Sequence, residues 1–521
     1  MKTKTYIILY LLIFLLALTL RLYSINHLQG FNENGLYAEP IQGDEPTFYE
    51  LGKHVFLGDG PVEFFIWNLW SHKEVPHLNS FYPPFYPYII GTIFSIFGES
   101  SFVVRVFSLF ISLITVCLVG IFGLRLYNKE VGLLAMFLIA INPAHVFNSG
   151  LITREPLFTF LVFIFLILFY FAVINRNLFY WILVGALLGI LTITNYFGFI
   201  LLGVVLIILL IKHRRIKLGY AIISLILFTL VILPVGIQTY REFGTPFHSD
   251  LSYYKYTDDY RESYYEDVPP TFSSFLELSL TEKIYPRLFG VGRVLVTLPR
   301  LFTPVIFSFV LLSLFFLDSF ILVNLAFFSV FLIIFVLFTG PSYLIGEKYF
   351  IQFLPTMLIA VSVVFKKGFN KLKSGAKRPK IIILIILVFT LFFSLGEIQH
   401  DLEDYSKADK SLFDMGGWIK ENTPADSFIM SFSSPTLHYL TERIVINNPY
   451  TRTALMNPNE LKEESKTIHI EQVKKYNVSF LLIRTDDQLE RKIINGFDGL
   501  NPEEVHREGK FVLYKFNFKP E

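Results

Sequence analysis

The stretch PLFTFLVFIFLILFYFAVI, Pro156–Ile174, contains no charged side chain. A transmembrane helix needs about 20 mostly apolar residues to cover roughly 30 Å of hydrocarbon, and this stretch is long enough to do so. Comparable apolar runs recur before and after it. They lie near residues 6–22, 101–122, 131–147, 178–194, 197–211, 216–238, 296–316, 319–339, 349–365 and 380–396. Together with Pro156–Ile174 they predict a polytopic α-helical membrane protein with about eleven transmembrane helices.

The composition of the 521 residues agrees with this prediction. Hydrophobic residues make up 53% of the chain and charged residues only 17%, whereas a soluble domain has about 25% charged residues. This apolar composition excludes an ordinary cytoplasmic enzyme and a disordered protein. A secreted domain built on disulfides is also excluded, because Cys117 is the single cysteine. The net charge of +2 gives no indication of nucleic-acid binding.

Lysine and arginine in short loops predict the orientation, since such loops stay in the cytoplasm. With a cytoplasmic amino terminus and an uncleaved first span, the strongly basic short loops all fall on the cytoplasmic side. The apolar segment Pro84–Phe97 is about 14 residues long, and counting it as a span would divide the basic loops between both faces. It is therefore predicted to be interfacial or re-entrant, in a multi-pass protein of the cell membrane.

This topology places the first loop 25–100, the turn Asn148–Glu155, the loop 238–295 and residues 398–521 outside the cytoplasm. The last of these segments is polar and alternates between helical and strand patterns, which is typical of a small α/β domain. The patterns predict helices at Ser411–Glu421 and Glu460–Tyr476 and strands at Phe428–Phe432, Arg443–Asn447, Val478–Arg484 and Phe511–Phe516. The predicted domains are thus a membrane domain, 1–397, and an extracytoplasmic α/β domain, 398–521.

Two acidic residues, Asp44 and Glu45, lie in the first outer loop. Asp44 suits an N-cap before Pro46, and capping explains the aspartate as well as catalysis does. Glu45 points about 100° away on the helix, so the two carboxylates need not share a task. Lys53 and His54 follow, where a solvated helix end is the simpler interpretation.

Charged residues also open several spans at the predicted outer face, namely Arg105, Arg154 with Glu155, and Lys348. Each alone fits an interfacial anchor that snorkels to the membrane surface. Together they form a set of acids and bases at one membrane face. Such a set would suit a phosphate-bearing substrate beside an acidic base.

The aromatic segment from Tyr82 to Tyr88 fits either an interface belt or the wall of a lipid groove. The sequence contains no set of metal ligands with convincing spacing and no phosphate-binding glycine loop, so no cofactor is predicted. An acidic pair could hold Mg²⁺ or Mn²⁺, but nothing in the sequence requires a metal.

In the order of its motifs, the chain resembles the GT-C glycosyltransferases that use a polyprenyl-phosphate sugar, namely the dolichyl-phosphate-mannose protein mannosyltransferase and aminoarabinose transferase group. The resemblance covers about residues 5–365. Its motifs are Gly43-Asp44-Glu45 with Tyr49, Tyr82-Pro83-Pro84-Phe85-Tyr86-Pro87, Phe97-Gly98 before Arg105, Asn142-Pro143, Glu155, Phe243-Gly244-Thr245-Pro246-Phe247, and Lys348-Tyr349 with Pro355.

Two departures from the family pattern stand out. Tyr82 and Pro83 replace the lysine that usually precedes Pro-Pro in the aminoarabinose branch. Lys348 replaces the usual arginine, so a phosphate contact there would be a point charge rather than a two-pronged one. The terminal segment matches no well-known domain of the family, and acceptor recognition is one hypothesis for it.

The resemblance implies transfer of a sugar from a polyprenyl-phosphate donor to a protein, glycan or lipid acceptor, with inversion at the anomeric carbon. It implies Asp44 as general base, supported by Glu45, with Glu155 orienting a base or the acceptor. Arg105, Arg154, Lys348 and, more weakly, His54 would bind the donor phosphate. Tyr82, Tyr86 and Tyr349 would line the groove for lipid or acceptor.

Two other functions compete with transfer. A transporter or flippase for a lipid-linked sugar would place functional charges near the middle of the membrane and show a helix repeat, and the sequence has no such repeat. A non-catalytic membrane scaffold would bind a partner through its outer domain and tolerate Asp44→Asn. The sequence favours transfer over both.

Overall fold

The computed structural model describes residues 3–28, 43–66, 74–211, 217–253, 256, 269–316, 318–338, 346–372, 378–406, 410–431, 434–447, 470–484, 494 and 497–517. Contacts between residues divide the chain into two compact units. The first comprises Met1–Glu39, Tyr82–His248 and Leu280–Ser406, and the second Pro40–Phe81, Ser249–Ser279 and Lys407–Glu521. The boundary after Ser406 lies close to the predicted one, but part of the first outer loop groups with the carboxy-terminal residues.

The α-helices of the first unit follow the apolar segments of the sequence. In chain order they are α1 (Thr3–Leu28), α2 (Glu45–Leu57), α3 (Phe85–Phe97), α4 (Ser101–Leu126), α5 (Lys129–Ala140), α6 (Pro143–Asn148), α7 (Glu155–Asn175), α8 (Leu178–Thr194), α9 (Gly198–Ile211), α10 (Leu218–Phe243), α11 (Phe272–Glu277), α12 (Leu280–Phe302), α13 (Pro304–Ser313), α14 (Ser319–Phe338), α15 (Leu354–Leu372), α16 (Arg378–Ser406), α17 (Lys410–Asn422) and α18 (Ser434–Thr441).

Within the described ranges, seven helices are long and apolar enough to cross a membrane. The pair α12 and α13, bent by 104°, makes an eighth if it forms one span. The other predicted runs give shorter helices: α8 has 17 residues, α9 has 14, and the run 131–147 is divided into α5 and α6. The predicted fold class is confirmed, with fewer full-length spans than the eleven apolar runs suggested.

The division of the run 131–147 has a local cause at Asn142-Pro143. Pro143 is the first residue of α6, where its missing N–H costs little, and the Asn142 side chain accepts a hydrogen bond from the His145 backbone. The same Asn142 side chain donates to the Leu301 carbonyl at 2.7 Å. The fully buried Arg21 donates to the Ala140 carbonyl at the end of α5, at 3.1 Å. The break is therefore satisfied by specific side chains.

Helices α8 and α10 pack closely through small residues on α8. Gly185 and Gly189 lie one turn apart and form the small-residue spacing that lets membrane helices approach. A Cβ at Gly185 would overlap with the backbone of Ser224 on α10, and one at Gly189 would lie 2.6 Å from the Val231 side chain. The contact thus depends on the absence of a side chain at these two positions.

The second unit is built around a six-stranded sheet in the order β2-β5-β4-β6-β8-β7. The first four strands in this order, β2, β5, β4 and β6, run parallel to one another. Strand β8 pairs antiparallel with β6, and β7 pairs antiparallel with β8. A separate antiparallel pair joins β1 to β3. The strands are β1 (Val62–Glu63), β2 (Phe65–Ile66), β3 (His77–Leu78), β4 (Phe428–Ser431), β5 (Ile444–Asn447), β6 (Phe480–Arg484), β7 (Pro502–Glu508) and β8 (Phe511–Phe516).

Alternating residues of the central strands bury both faces of this sheet, as expected for parallel strands covered by helices. One face carries Met430, Leu481 and Val512, and the other carries Ile429, Leu482 and Leu513, all at most 1% exposed. Strand β2 comes from the first predicted outer loop and is buried in the same sheet. The predicted carboxy-terminal strands are confirmed. The predicted helix Glu460–Tyr476 is described only from residue 470, where it is helical, and the rest lies outside the described residues.

The close crossing of α8 and α10 gives a testable prediction. Gly185→Ala should lower the melting temperature in detergent, because the added methyl group meets backbone rather than a movable side chain; overpacking of this kind costs roughly 1–3 kcal/mol. The matched control is Gly203→Ala in α9, where a Cβ meets nothing within 4 Å. The control should be neutral or slightly stabilising, because alanine favours a helix over glycine by about 1 kcal/mol. Equal melting temperatures for the two variants would contradict the packing argument.

Candidate active site

Asp44 and Glu45 lie at the amino terminus of α2 in the second unit. Asp44 has helical backbone angles, φ −88° and ψ −6°, and its carbonyl accepts a hydrogen bond from Phe48 N. Throughout α2, which is completely described, no backbone N–H donates a capping hydrogen bond to the Asp44 carboxylate. Glu45 is only 1% exposed, and Pro46 follows in the first turn. The geometry therefore removes helix capping as an explanation for Asp44.

His54 lies near the other end of the same helix. Ten residues separate it from Asp44, which corresponds to about 15 Å along the helix axis. Its ring faces Glu50 and Asp59, with the Nδ1 atom 3.2 Å from an Asp59 carboxylate oxygen. The structure therefore does not bring His54 to Asp44, although the two are close in the sequence.

In the first unit, Arg154 and Glu155 begin α7. Both are almost completely buried, at 7% and 8% exposed. The Arg154 guanidinium lies over the Tyr82 ring, 5.0 Å from its centroid, which is a favourable cation–π distance. The Oε2 atom of Glu155 is buried and has no hydrogen-bond partner in the part of the chain that the structure describes. A buried acidic oxygen of this kind is costly to a fold unless it has a further role.

Arg105 on α4 is completely buried. It donates through Nη1 to the Gly150 carbonyl at 2.5 Å, in the turn that leads into α7. Ser149, Gly150 and Leu151 continue this turn through short-range backbone hydrogen bonds. Arg105 thereby holds the segment that presents Arg154 and Glu155.

Lys348 lies in the 3₁₀ turn Glu347–Tyr349 and is exposed. Its neighbour Glu347 forms an ion pair with Arg300 at 3.4 Å, and Arg300 also approaches Asp401 at 3.7 Å. The turn is thus held by Arg300, a cation that the sequence analysis did not single out. Tyr349 packs against Phe197 and Phe335, and the same aromatic packing orients the turn.

The three tyrosines that were predicted to line a groove have different surroundings from one another. Tyr82 is half-buried beside Arg154. Tyr86 is completely buried in the first turn of α3. Tyr349 joins the aromatic cluster of the first unit. Of the three, Tyr82 lies beside a predicted site residue.

The candidate residues therefore form two groups. The second unit supplies the acids Asp44 and Glu45. The first unit supplies two buried guanidinium groups, a buried carboxylate and the exposed Lys348. Guanidinium groups and a lysine can stabilise an anion, and the N-terminus of α7 adds a positive partial charge. A carboxylate outside any helix cap can accept a proton.

A buried polar cluster in the second unit was not predicted. Glu63 accepts a hydrogen bond from the Asn79 side chain, and Ser80 donates to Asp250 at 2.7 Å. Burial, followed by the nearby Asp250, raises the pKa of Glu63 well above its ordinary value. Burial lowers the pKa of His77, whose Nδ1 atom lies 3.9 Å from Glu63. In sequence these residues look like ordinary loop positions, so only the fold reveals the cluster.

Comparisons with known proteins agree with this fold. The sequence model of the dolichyl-phosphate-mannose-protein mannosyltransferase family matches residues 82–237. The archaeal oligosaccharyltransferase AglB of Archaeoglobus fulgidus, in complex with an inhibitory peptide and a dolichol-phosphate, has a similar structure: the TM-score is 0.61 and the identity 14%, over 91% of this chain and 69% of AglB. No curated protein sequence matches the chain.

ArnT of Cupriavidus metallidurans is similar along almost its whole length. In the apo state it matches 98% of this chain and 98% of its own, with a TM-score of 0.61 and 12% identity. Bound to undecaprenyl phosphate it matches 99% and 98%, with a TM-score of 0.57. At sequence identities this low, the structural similarity shows a shared fold and nothing finer. The resemblance to GT-C glycosyltransferases that the motifs indicate is confirmed at the level of that fold and of the family match.

The raised pKa of Glu63 gives a second prediction. Above the ordinary glutamate pKa, the folded state holds a proton on Glu63 that the unfolded chain releases, so stability falls as the pH rises toward the raised pKa. Glu63→Gln keeps an acceptor for Asn79 and cannot ionise. The difference between the melting temperature of the Glu63→Gln variant and that of the parent chain should therefore increase in favour of the variant from pH 5 to pH 8.

The matched control is Glu421→Gln on the exposed end of α17, which removes a carboxylate outside the buried cluster. A pH-independent effect of Glu63→Gln would show that the buried carboxyl does not titrate in this way.

Proposed function

We propose that this chain is an inverting glycosyltransferase that moves a monosaccharide from a polyprenyl-phosphate donor to a protein, glycan or lipid acceptor at the outer membrane face. The observation that carries the proposal is the fold shared with ArnT over 98–99% of this chain and 98% of that one. ArnT is bound there to undecaprenyl phosphate, and AglB to a dolichol-phosphate. The mannosyltransferase family match supports the same chemistry.

In the proposed reaction the acceptor hydroxyl oxygen attacks the anomeric carbon of the donor sugar. Asp44 takes the hydroxyl proton while the bond between the anomeric carbon and the phosphate oxygen breaks. The bonding electron pair leaves with the polyprenyl phosphate, and one displacement inverts the anomeric centre. Glu45 supports Asp44, and Glu155 orients the acceptor or the base. The absence of a capping role for the Asp44 carboxylate supports this assignment.

The leaving phosphate gains negative charge and needs cations more than a proton. Arg105, Arg154 and Lys348 are the proposed phosphate ligands, with Tyr82 beside Arg154 at the lipid groove. Two guanidinium groups that are at most 7% exposed are poorly solvated, so an anionic head group would be a favourable partner. His54 is left out, because it lies about 15 Å along α2 from Asp44.

The proposed orientation follows the basic loops, with the amino terminus in the cytoplasm and residues 398–521 outside. The proposed partners are the lipid-linked donor, the acceptor and the surrounding lipids, with no nucleic acid. A flippase for a lipid-linked sugar is the second candidate function, because it would use the same membrane helices and cations. It differs in needing no proton acceptor at Asp44.

The first test compares the parent chain with Asp44→Asn at equal expression, using radiolabelled polyprenyl-phosphate hexoses and detergent-solubilised protein. The variant should lose transfer by about 10²–10⁴-fold, the usual contribution of a positioned general base. Its melting temperature should be measured beside that of the parent chain, so that a loss of transfer can be separated from a loss of folded protein. The control is Asp426→Asn at an exposed position, which should keep full activity.

The same assay separates the competing functions. A purely capping role of Asp44 predicts equal transfer by Asp44→Asn and the parent chain, because asparagine caps a helix as well as aspartate does. A scaffold predicts no transfer by any of the proteins. A flippase predicts no transfer by any of the proteins in detergent, together with movement of the labelled lipid in proteoliposomes. Equal transfer by all three proteins would remove Asp44 as the general base, and no transfer by any of them would remove the transferase proposal.

A second test addresses the phosphate. Lys348→Met should lower kcat/KM by roughly 10²–10³-fold, the range found when one electrostatic donor to a developing charge is lost. Because the Lys348 side chain is exposed, the melting temperature of the Lys348→Met variant should equal that of the parent chain. Lys348→Arg should restore most of the activity, and the exposed control Lys515→Met should match the parent chain. Full activity of Lys348→Met would exclude this lysine from the phosphate site.

A further inference from the structure

Three side chains of the second unit point metal-binding atoms at one another. Glu50 and His54 are separated by one turn of α2 and lie on the same face of that helix. His438 comes from α18, far away in the sequence. The Glu50 Oε2 atom lies 3.9 Å from His54 Nε2 and 3.7 Å from His438 Nε2, and the three atoms all lie within 4.8 Å of one another.

These separations are too long for hydrogen bonds. A hydrogen bond to oxygen requires about 2.7–3.2 Å between the heavy atoms, so the carboxylate oxygen is not bonded to either ring nitrogen. The side chains of Glu50, His54 and His438 are nevertheless only 6%, 12% and 9% exposed. Three convergent polar atoms in a nearly dry space, each just out of reach of the others, have the spacing of ligands around a shared ion.

The other nitrogen of each imidazole already has an outer partner. His438 Nδ1 lies 2.7 Å from the Arg443 carbonyl, to which it can only donate. His54 Nδ1 lies 3.2 Å from the Asp59 carboxylate. A hydrogen on each Nδ1 leaves the lone pair on Nε2, which is the atom aimed at Glu50. Metal-binding histidines usually have this outer carbonyl or carboxylate, because it fixes the tautomer and the direction of the ring.

Both rings are also held by aromatic packing. Phe64 stacks on His54 at 4.5 Å between centroids and on His438 at 5.9 Å, with interplanar angles of 26° and 5°. The Arg443 residue that accepts from His438 is itself fixed, because its guanidinium donates to the Lys420 and Thr423 carbonyls, both at 2.8 Å. The imidazole directions are thus determined by the fold around them.

We propose that Glu50, His54 and His438 bind a Zn²⁺ ion. Two imidazole nitrogens with one carboxylate oxygen form a donor set that suits zinc, whereas Mg²⁺ and Ca²⁺ prefer oxygen ligands alone. Zinc bonds of about 2.0–2.2 Å in a tetrahedron place ligand atoms about 3.3–3.5 Å apart. The observed 3.7 and 3.9 Å need to shorten by about half an ångström, and the separation of the two imidazole nitrogens, which is within 4.8 Å, by about 1.5 Å at most. A water molecule would complete the coordination.

The surrounding charges are compatible with a dication. Glu50 binds it directly, and Asp59 lies behind His54. The nearest lysine of the helix, Lys53, has its Nζ atom 4.0 Å from Glu442, which also pairs with Lys420 at 3.1 Å. The two lysines beside the site thus share the Glu442 carboxylate, which offsets part of their positive charge.

The ion would tie α2 to α18, two helices that already pack together in the second unit. Since α2 begins at Glu45, directly after Asp44, the ion would fix the helix that carries both acids. This site is independent of the glycosyl-transfer proposal, and neither requires the other. Sequence spacing alone predicted no metal, because Glu50 and His54 supply two ligands and the third arrives only through folding.

The test uses the full chain in detergent, purified without a polyhistidine tag and dialysed against a chelator. Isothermal titration with Zn²⁺ and elemental analysis after gel filtration should show one zinc per chain and a higher melting temperature. The double variant Glu50→Gln, His438→Gln should lose both effects. The control His400→Gln, at an exposed histidine paired with Asp404, should keep them. Asp59→Asn should weaken zinc binding by about 10–100-fold, as loss of an outer partner does.

Two outcomes would overturn the proposal. One is a parent chain that retains no stoichiometric zinc. The other is zinc uptake by the double variant equal to that of the parent chain. If the double variant fails to fold, Co²⁺ on the parent chain decides: four-coordinate Co²⁺ absorbs visible light strongly and should be displaced by one equivalent of Zn²⁺, whereas a weak six-coordinate spectrum would refute the site.

Discussion

The first unit depends on satisfying backbone groups where a membrane helix is interrupted. No water is present in the hydrocarbon region to bond free carbonyls, so irregular backbone there needs protein partners. Between α5 and α6 those partners are Arg21, which donates to Ala140, and Asn142, which donates to Leu301 and caps α6. The Arg21 guanidinium also bonds Ser112 and lies 2.6 Å from His145. A buried cation is costly in a membrane, and here it allows the chain to turn.

That turn determines where the candidate cations lie. After α6 the chain passes through Gly150, whose carbonyl accepts from Arg105, and enters α7 at Arg154 and Glu155. Had the run 131–147 continued as one straight helix, these residues would lie at a different height. The polar side chains of the first unit therefore serve the same end, since Arg21 and Asn142 make the break and Arg105 holds the turn between α6 and α7.

Apolar runs predicted the helices of the first unit well, because hydrophobic length is a strong signal. Residues 156–174 were expected and Glu155–Asn175 is observed. The sequence failed where the structure depends on distant partners. Strand β2 has two residues and no periodicity, and β7 is a mostly exposed edge strand that reads as polar. The neighbours of His54 could not be read from the sequence either, because Glu50 meets it through the helix repeat and His438 only through the fold.

The insertion of β2 into the sheet changes what a truncation can show. Phe65 and Ile66 pair with Val445 and Ile446, and α2 packs against α18. Removing residues 407–521 would therefore take away the neighbours of β2 and the support of the helix that begins beside Asp44. Loss of transfer after such a deletion would follow equally from a displaced Asp44 and from a lost acceptor site. Only substitutions on exposed positions of the terminal segment, which leave β2 and α2 packed, can separate acceptor recognition from support of the first outer loop.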